Sequence, residues 1–308
     1  MIAAVTKSEN LKSGFERVRT AAGMPGADGI SIREFAESRN SNLGRLAWEI
    51  EEGVYFPLPL LRFLVAKKDG SPRPLAVPTV KDRVAQSAVL NIIEPIFEAE
   101  FEECSHGYRR GRSVKTAARH IRELRDKGCR FVVEVDIDSF FDNIDHDLLL
   151  KKIRTVIRDE KLIELIMAWV KAEVYDGQQV YTLKKGIAQG SVISPMLANL
   201  FLDEFDEAME SMGYHMVRYA DDFVVMTETL DKARRGLELT DVVLKMLFLD
   251  IDEEDTRITD FENGFKYLGL VFMKDSLFEP FDRPKKEKRV IYMPPPFDLN
   301  KYLEKRKV

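Results

Sequence analysis

The sequence predicts an α+β fold, on three observations. Phe131-Val-Val-Glu-Val-Asp-Ile137 is a short β-rich run of the kind that forms a buried strand. Met216–Tyr219 and Phe223–Met226 are two further β-like runs around Ala220-Asp221-Asp222, which places both aspartates in a hairpin turn. The stretches between these runs carry apolar residues at helical spacing. Helices mixed with scattered antiparallel hairpins, without a regular βαβ alternation, are an α+β pattern.

Each element follows from its local signals. Residues 1–57 read as mostly helical, with a turn at Gly23-Met-Pro-Gly-Ala-Asp-Gly29. Leu61–Val65 and Pro74–Val77 flank Lys67-Lys68-Asp69-Gly70-Ser71, and Asp-Gly between apolar runs signals a hairpin. From Asp82 to Phe101, Val84, Ala88, Ile92 and Ile96 recur at helical spacing, and Pro95 should kink or divide that helix. Helical patterns follow the 131–137 strand at 146–158 and 160–173, and Val180–Leu183 suits a strand. Ser194-Pro195 opens a strong helix through Met212, since Ser suits the N-cap and Pro the first helical position. A helix covers about 231–247, and Phe265–Phe272 reads as one or two strands. The end carries Pro280, Pro284 and Pro294-Pro295-Pro296 with little periodicity.

Composition excludes several classes. With 308 residues, 45% hydrophobic and 32% charged, the chain can bury a sizeable core. It has no run of 18 apolar residues and no secretory signal in MIAAVTKSEN. Cys104 and Cys129 lack CxxC spacing, so a reducing cytoplasm is the default, and four scattered histidines make a zinc site unexpected. The net charge of −5 taken whole argues against nucleic acid. The distribution argues otherwise. Cys104–Arg125 holds seven Lys/Arg against one acid, Asp203–Glu262 holds 18 acids against six Lys/Arg, and Arg283–Val308 holds nine Lys/Arg against three acids. Such blocks imply an electrostatic division of labour, or simply solvated helix faces.

The chemistry centres on three aspartates. A carboxylate at the end of an apolar strand, as in Val135-Asp136-Ile137-Asp138, is costly unless paired or metal-bound. Asp221-Asp222 repeats the oddity, because adjacent like charges repel. A hard divalent cation such as Mg²⁺ resolves both, completing its shell with water and phosphate oxygens. The plainer alternative is that Asp222 fills a turn and Asp136 caps the next segment.

Tyr219-Ala220-Asp221-Asp222 resembles the YADD signature of reverse transcriptases, and five further blocks stand in that family's order. Arg73-Pro-Leu-Ala-Val-Pro78 through Asp82-Arg83 resembles the second fingers motif, and Ser105-His-Gly-Tyr-Arg-Arg-Gly-Arg-Ser113 the third. Asp136-Ile-Asp-Ser-Phe-Phe-Asp-Asn-Ile-Asp145 resembles the first catalytic motif. Gly186-Ile-Ala-Gln-Gly-Ser-Val-Ile-Ser-Pro195 resembles QGxxxSP, and Phe265-Lys-Tyr-Leu-Gly-Leu270 the hairpin under the primer end. The QGxxxSP form is that of the bacterial group II intron-like lineage, and the CRISPR-associated branch fits best.

The resemblance implies a right-hand polymerase fold with fingers and palm, an antiparallel palm sheet flanked by helices, and a missing or minimal thumb. It divides the chain into an N-terminal helical extension (1–57), fingers (58–130), a palm with inserted fingers helices (131–273) and a basic, Pro-rich tail or partial thumb (274–308). It implies RNA-directed addition of dNTPs to a DNA primer 3′-OH by two Mg²⁺ ions, for which Mn²⁺ can substitute. Asp136, Asp221, Asp222 and the Ile137 backbone would hold the metals. Arg73, Lys67 or Lys68, and Gln189 would contact the nucleotide, and Phe141 would exclude a ribose 2′-OH. Tyr108, Arg109, Arg110 and Arg112 would hold the template, and Tyr219 would lean toward the primer end. Expected partners are an RNA template, a DNA primer and, in the CRISPR-associated branch, a spacer-integration complex, with no membrane. An intron maturase domain, an antiphage-defence polymerase and a catalytically silent RNA-binding subunit are the alternatives.

The sequence departs from the family at Glu253-Glu254-Asp255-Thr256-Arg257, where Asp255 stands at the position of an expected lysine. If that lysine helps protonate pyrophosphate, this enzyme relies on Arg257 or is slower.

Overall fold

The computed structural model describes residues 1–67, 70–278 and 289–306. In chain order the elements are α1 (Ile2–Val5), α2 (Ser8–Ala21), α3 (Ile32–Glu37), α4 (Arg39–Glu51), β1 (Leu60–Ala66), β2 (Pro72–Val77), α5 (Val80–Glu98), α6 (Val114–Asp126), β3 (Phe131–Val135), α7 (Phe140–Asn143), α8 (His146–Val156), α9 (Glu160–Val170), β4 (Glu173–Tyr175), β5 (Val180–Thr182), α10 (Ser194–Ser211), β6 (His215–Tyr219), β7 (Asp222–Thr227), α11 (Leu230–Met246), β8 (Arg257–Asp260), β9 (Phe265–Tyr267), β10 (Leu270–Met273), β11 (Ser276–Phe278), β12 (Val290–Tyr292) and α12 (Leu299–Arg306). Helices and antiparallel strands are mixed as the sequence predicts. Among the described residues no helix is long and apolar enough to cross a membrane. The chain forms two compact units.

The first unit comprises 1–97, 150–194 and 289–306. Its N-terminal helices bury one apolar face, with Leu11, Phe15, Val18, Leu43, Leu46 and Ile50 each at most 5% exposed. Gly14 lets α2 lie directly on α5, since a Cβ there would stand 2.9 Å from the Val84 carbonyl oxygen. α5 is buried nearly all round and runs unbroken through Pro95. The expected division does not occur because Pro95 falls in the last turn, where its missing N–H forfeits a single bond to residue 91. The sheet is built on β1, which pairs antiparallel with β2 from Leu61↔Val77 to Ala66↔Pro72 and parallel with β4 at Leu60↔Val174. The sequence shows little periodicity at the C-terminus, yet the structure adds β12 to β1 at Leu64↔Tyr292. α12 then packs at β4, where Tyr302 Oη and Arg306 Nη2 both donate to Glu173 Oε2, at 2.5 and 2.9 Å.

The second unit comprises 98–149 and 195–278. Its antiparallel sheet has the order β6-β7-β3-β8. β3 is a central strand, and Val132 and Val133 are wholly buried, as its apolar run predicts. α6 lays Ala117, Ile121 and Leu124 over this sheet, and Phe261, Phe265, Tyr267 and Phe272 from the β9–β10 hairpin region close the same core. A Ser113–Thr116 capping box starts α6.

Candidate active site

Antiparallel pairing alone gathers the aspartates. β3 and β7 match from Phe131↔Thr227 to Val135↔Phe223, so the residue after β3, Asp136, meets the start of β7, Asp222. β6 pairs with β7 up to Tyr219↔Asp222, leaving Ala220 and Asp221 as the turn. Ala220 holds φ at +63°, a conformation that costs an L-residue on the order of 1–2 kcal/mol. Tyr267, from the β9 strand of the Phe265–Leu270 motif, donates its hydroxyl to the carbonyls of Val217 and Asp222 at 3.0 and 2.9 Å. Tyr267 therefore ties β9 to β6 and to the start of β7.

A second loop joins the cluster. Asp252 N donates to the Asp136 carbonyl at 2.8 Å and Asp138 N to the Asp250 carbonyl at 2.9 Å, around an Ile137↔Ile251 bridge. Neither bond uses the Ile137 carbonyl. Carboxylate oxygens of Asp136, Asp252 and Asp255 consequently lie within 4.8 Å of one another. An open cavity of about 230 Å³ beside them is lined by Glu134, Asp136, Asp222, Asp255, Lys266 and Tyr267, among others. Burial, then the charges of Asp221, Asp255 and Asp252, push the Asp136 carboxyl up, against a hydrogen bond from the Ile137 N–H. Crowded carboxylates of this kind form an all-oxygen, hard donor set that fits a divalent cation such as Mg²⁺. Asp255 thus stands in the acidic cluster. Arg257 donates to both Glu134 oxygens at 2.9 and 2.8 Å, so that guanidinium is already engaged. Sequence reading missed Asp252 and Tyr267. Asp252 was signalled only by the acid-rich 250–255 stretch, which reads equally well as solvated surface, and Tyr267 lay within the Phe265–Leu270 motif without a role of its own.

The loop at 104–112 shows which of its cations face water. Arg109 does not: it is buried, and its guanidinium bonds Glu98 Oε1 at 3.0 Å and the carbonyls of Phe101, Glu102 and Ser105 at 3.2, 2.5 and 2.9 Å. Arg109, expected to hold template, is instead turned inward and ties the loop to Glu98 and to the backbone of 101–105. Arg112 is half-buried and bonds Glu103 at 2.8 Å. Arg110 is exposed, as is Tyr108, whose ring lies 6.4 Å from that of Tyr219. His106 is buried between Thr116 Oγ1 at 3.0 Å and His120 Nδ1 at 3.1 Å. Burial first, then His120 and the nearby arginines, push it down to about 4. Phe140 is buried against Phe141 and Phe201, and Phe141 is half-buried.

The remaining expected residues belong to the first unit. Lys67 is exposed at the β1–β2 tip, where its N–H bonds the Ser71 carbonyl at 2.8 Å, and Lys68 lies outside the described residues. Arg73 is exposed on β2, opposite Val65. The Gln189 carbonyl accepts from Ala76 N at 2.8 Å, tying the 186–190 loop to β2. Asp82 and Arg83 are buried ties: Asp82 accepts from Tyr55 Oη at 2.6 Å, and Arg83 donates to the Met24 carbonyl at 2.7 Å.

Comparison with known proteins agrees with this geometry. A family model described as reverse transcriptase (RNA-dependent DNA polymerase) matches residues 65–272. Protein YkfC of Escherichia coli (strain K12) is 31% identical, across 80% of this chain and 74% of that protein. The group II intron-encoded protein LtrA of Lactococcus lactis subsp. cremoris is 38% identical across 59% of this chain but only 29% of its own length. Among solved structures, apo telomerase from Candida tropicalis shares the fold at a TM-score of 0.57 and 15% identity, over 79% of this chain and 60% of that one.

Proposed function

We propose that this chain, which belongs to the reverse transcriptase (RNA-dependent DNA polymerase) family, extends a DNA primer on an RNA template with Asp136, Asp221 and Asp222 as its catalytic carboxylates. The observation that carries the reading is the convergence of Asp136 with the 219–222 hairpin at one end of the β6-β7-β3-β8 sheet. In this reading the β1–β2 hairpin belongs to the fingers and the four-stranded sheet to the palm.

Asp136, the Ile137 carbonyl, Asp221 and Asp222 would hold two Mg²⁺ ions, with Mn²⁺ able to substitute. When bound, such ions supply Lewis acidity to the primer hydroxyl and charge neutralisation on the triphosphate. Arg73 and Lys67 offer cations to phosphate oxygens, a planar fork in one case and a point charge in the other. Gln189 lies in the QG loop as a contact to nucleotide or template. Phe141 presents a ring against a sugar 2′-OH. Tyr219 faces the primer end, and Tyr108 can stack on a base beside Arg110 and Arg112. The primer oxygen attacks the α-phosphate in line and pyrophosphate leaves, so these side chains act by position and charge.

Two finer roles belong to the proposal. The motif set suits work beside a spacer-integrating nuclease, and recovery of RNA-derived spacers from cells carrying the active chain, but not an Asp221→Ala variant, would test it. The likeness to LtrA supports an intron-encoded role instead, which splicing of a flanking intron would reveal. The polymerase reading itself is tested with a heteropolymeric RNA and a complementary DNA primer. Product whose sequence complements the RNA is expected, and product unrelated to the template would reject it.

A further inference from the structure

Among the described residues, the largest wholly buried side chain is a cation. Arg218 on β6 is 0% exposed, as are Asp206 and Asn199 of α10 and Ser105 of the basic loop. All five of its N–H donors are used. Nε donates to Asp206 Oδ1 at 2.8 Å, and Nη2 donates to Asp206 Oδ2 at 2.5 Å and to Ser105 Oγ at 2.9 Å. Nη1 donates to Asn199 Oδ1 and to the Ala220 carbonyl, both at 3.0 Å. The Asn199 amide in turn donates to the Gly107 carbonyl at 2.7 Å.

The backbone repeats the connection. Arg218 N bonds the Cys104 carbonyl at 2.8 Å, and His106 N bonds the Arg218 carbonyl at 2.7 Å. Gly107 lies so close to the turn that a Cβ there would stand 2.4 Å from Ala220 N. One guanidinium therefore grips both the 104–107 segment and the residue between Tyr219 and Asp221.

Burying a carboxylate and a guanidinium is expensive, and an apolar pair of similar volume would often hold a fold as well or better. What an apolar pair cannot supply is direction. A planar fork with five filled donors fixes the Ala220 carbonyl in distance and angle, and the next residue is Asp221. We propose that Arg218, oriented by Asp206 and Asn199, is a positioning residue that sets the metal-holding geometry of the 220–222 turn and locks that turn to the loop bearing Tyr108 and Arg110. The proposal rests on the polymerase reading above.

The test separates position from stability. In Arg218→Met/Asp206→Leu the buried charges are exchanged for apolar groups. The double variant is expected to melt near or above the wild type while losing its grip on Ala220. Mn²⁺ binding to the full chain without nucleic acid, followed by electron paramagnetic resonance, should weaken by about tenfold, and single-turnover extension at saturating Mg²⁺ should fall by about 10–100-fold. Asn199→Ala, which removes one brace and leaves the ion pair, should weaken Mn²⁺ binding by about 2–5-fold. Val243→Ala on α11 provides the comparison, lowering the melting temperature with Mn²⁺ affinity unchanged. A folded double variant with wild-type Mn²⁺ affinity and rate overturns the proposal. If that variant does not fold, wild-type values for Asn199→Ala overturn it instead. A wild type that binds Mn²⁺ but extends no primer defeats the polymerase reading, whereas an active wild type with unaffected variants defeats only the positioning role.

Discussion

Asp203 on α10 shows how a single residue can set pH behaviour. Its Oδ1 is buried and has no hydrogen-bond partner among the described residues. Burial first, then the charges of Asp206 and Glu207, push its carboxyl up to about 7, against the pull of Arg218. A folded value above the unfolded one means that the contribution to stability is fully present below about 4. It is lost as pH rises through about 7. Asp203→Asn should therefore raise stability more at pH 8 than at pH 5, by a further ~1–2 kcal/mol, as denaturant unfolding at the two pH values would show. Phe141 permits a prediction about selectivity. Phe141→Ala should improve ribonucleotide incorporation relative to deoxynucleotide by about 10–100-fold, measured as a ratio of kcat/KM values. An unchanged ratio would remove Phe141 from sugar selection. Arg218 was illegible at this scale. A cation in a β-run reads as a solvent-facing residue, and its carboxylate partner lies on another element.

Among elements, the strongest local signals survived best. The β1–β2 hairpin and the helix opened by Ser194-Pro195 form where turn chemistry and period placed them, whereas the strand expected over 131–137 ends at Val135 and Asp222, expected in the turn, is the first residue of β7. The acidic loop joined the site through backbone bonds at 250–252, and no side-chain pattern encodes those. β12 was invisible for a different reason. Val290, Ile291 and Tyr292 are all at least 40% exposed, so no alternation of apolar and polar residues marks the strand. Its partner is the edge of β1, and Tyr175, Phe297 and Tyr302 pack their rings at 4.8 and 5.3 Å behind it. Ending the chain after residue 278 uncovers that edge. The shortened protein should melt about 5–10 °C lower and scatter light more as its concentration rises, since open edges pair between molecules. Equal melting temperatures would show that the C-terminal strand and helix add no stability.

For the whole molecule, the net charge of −5 coexists with nucleic-acid chemistry because position outweighs total. Part of the acid surplus is the candidate site itself, where Asp136, Asp252 and Asp255 crowd together beside Asp221 and Asp222. With Arg109 turned inward and Arg112 shared with Glu103, the 104–112 loop keeps a short basic track. Template–primer binding should then show a modest salt dependence, with a slope of about −2 to −4 for log K against log salt in a fluorescence titration. The most direct test is extension of oligo(dT) on poly(rA) by the full chain with dTTP and Mg²⁺, beside Asp221→Ala/Asp222→Ala. The account predicts a product ladder from the wild type that chelator abolishes and that falls at least ~10³-fold in the double variant. No Mg²⁺-dependent product from the wild type, or equal product from the variant, would contradict it.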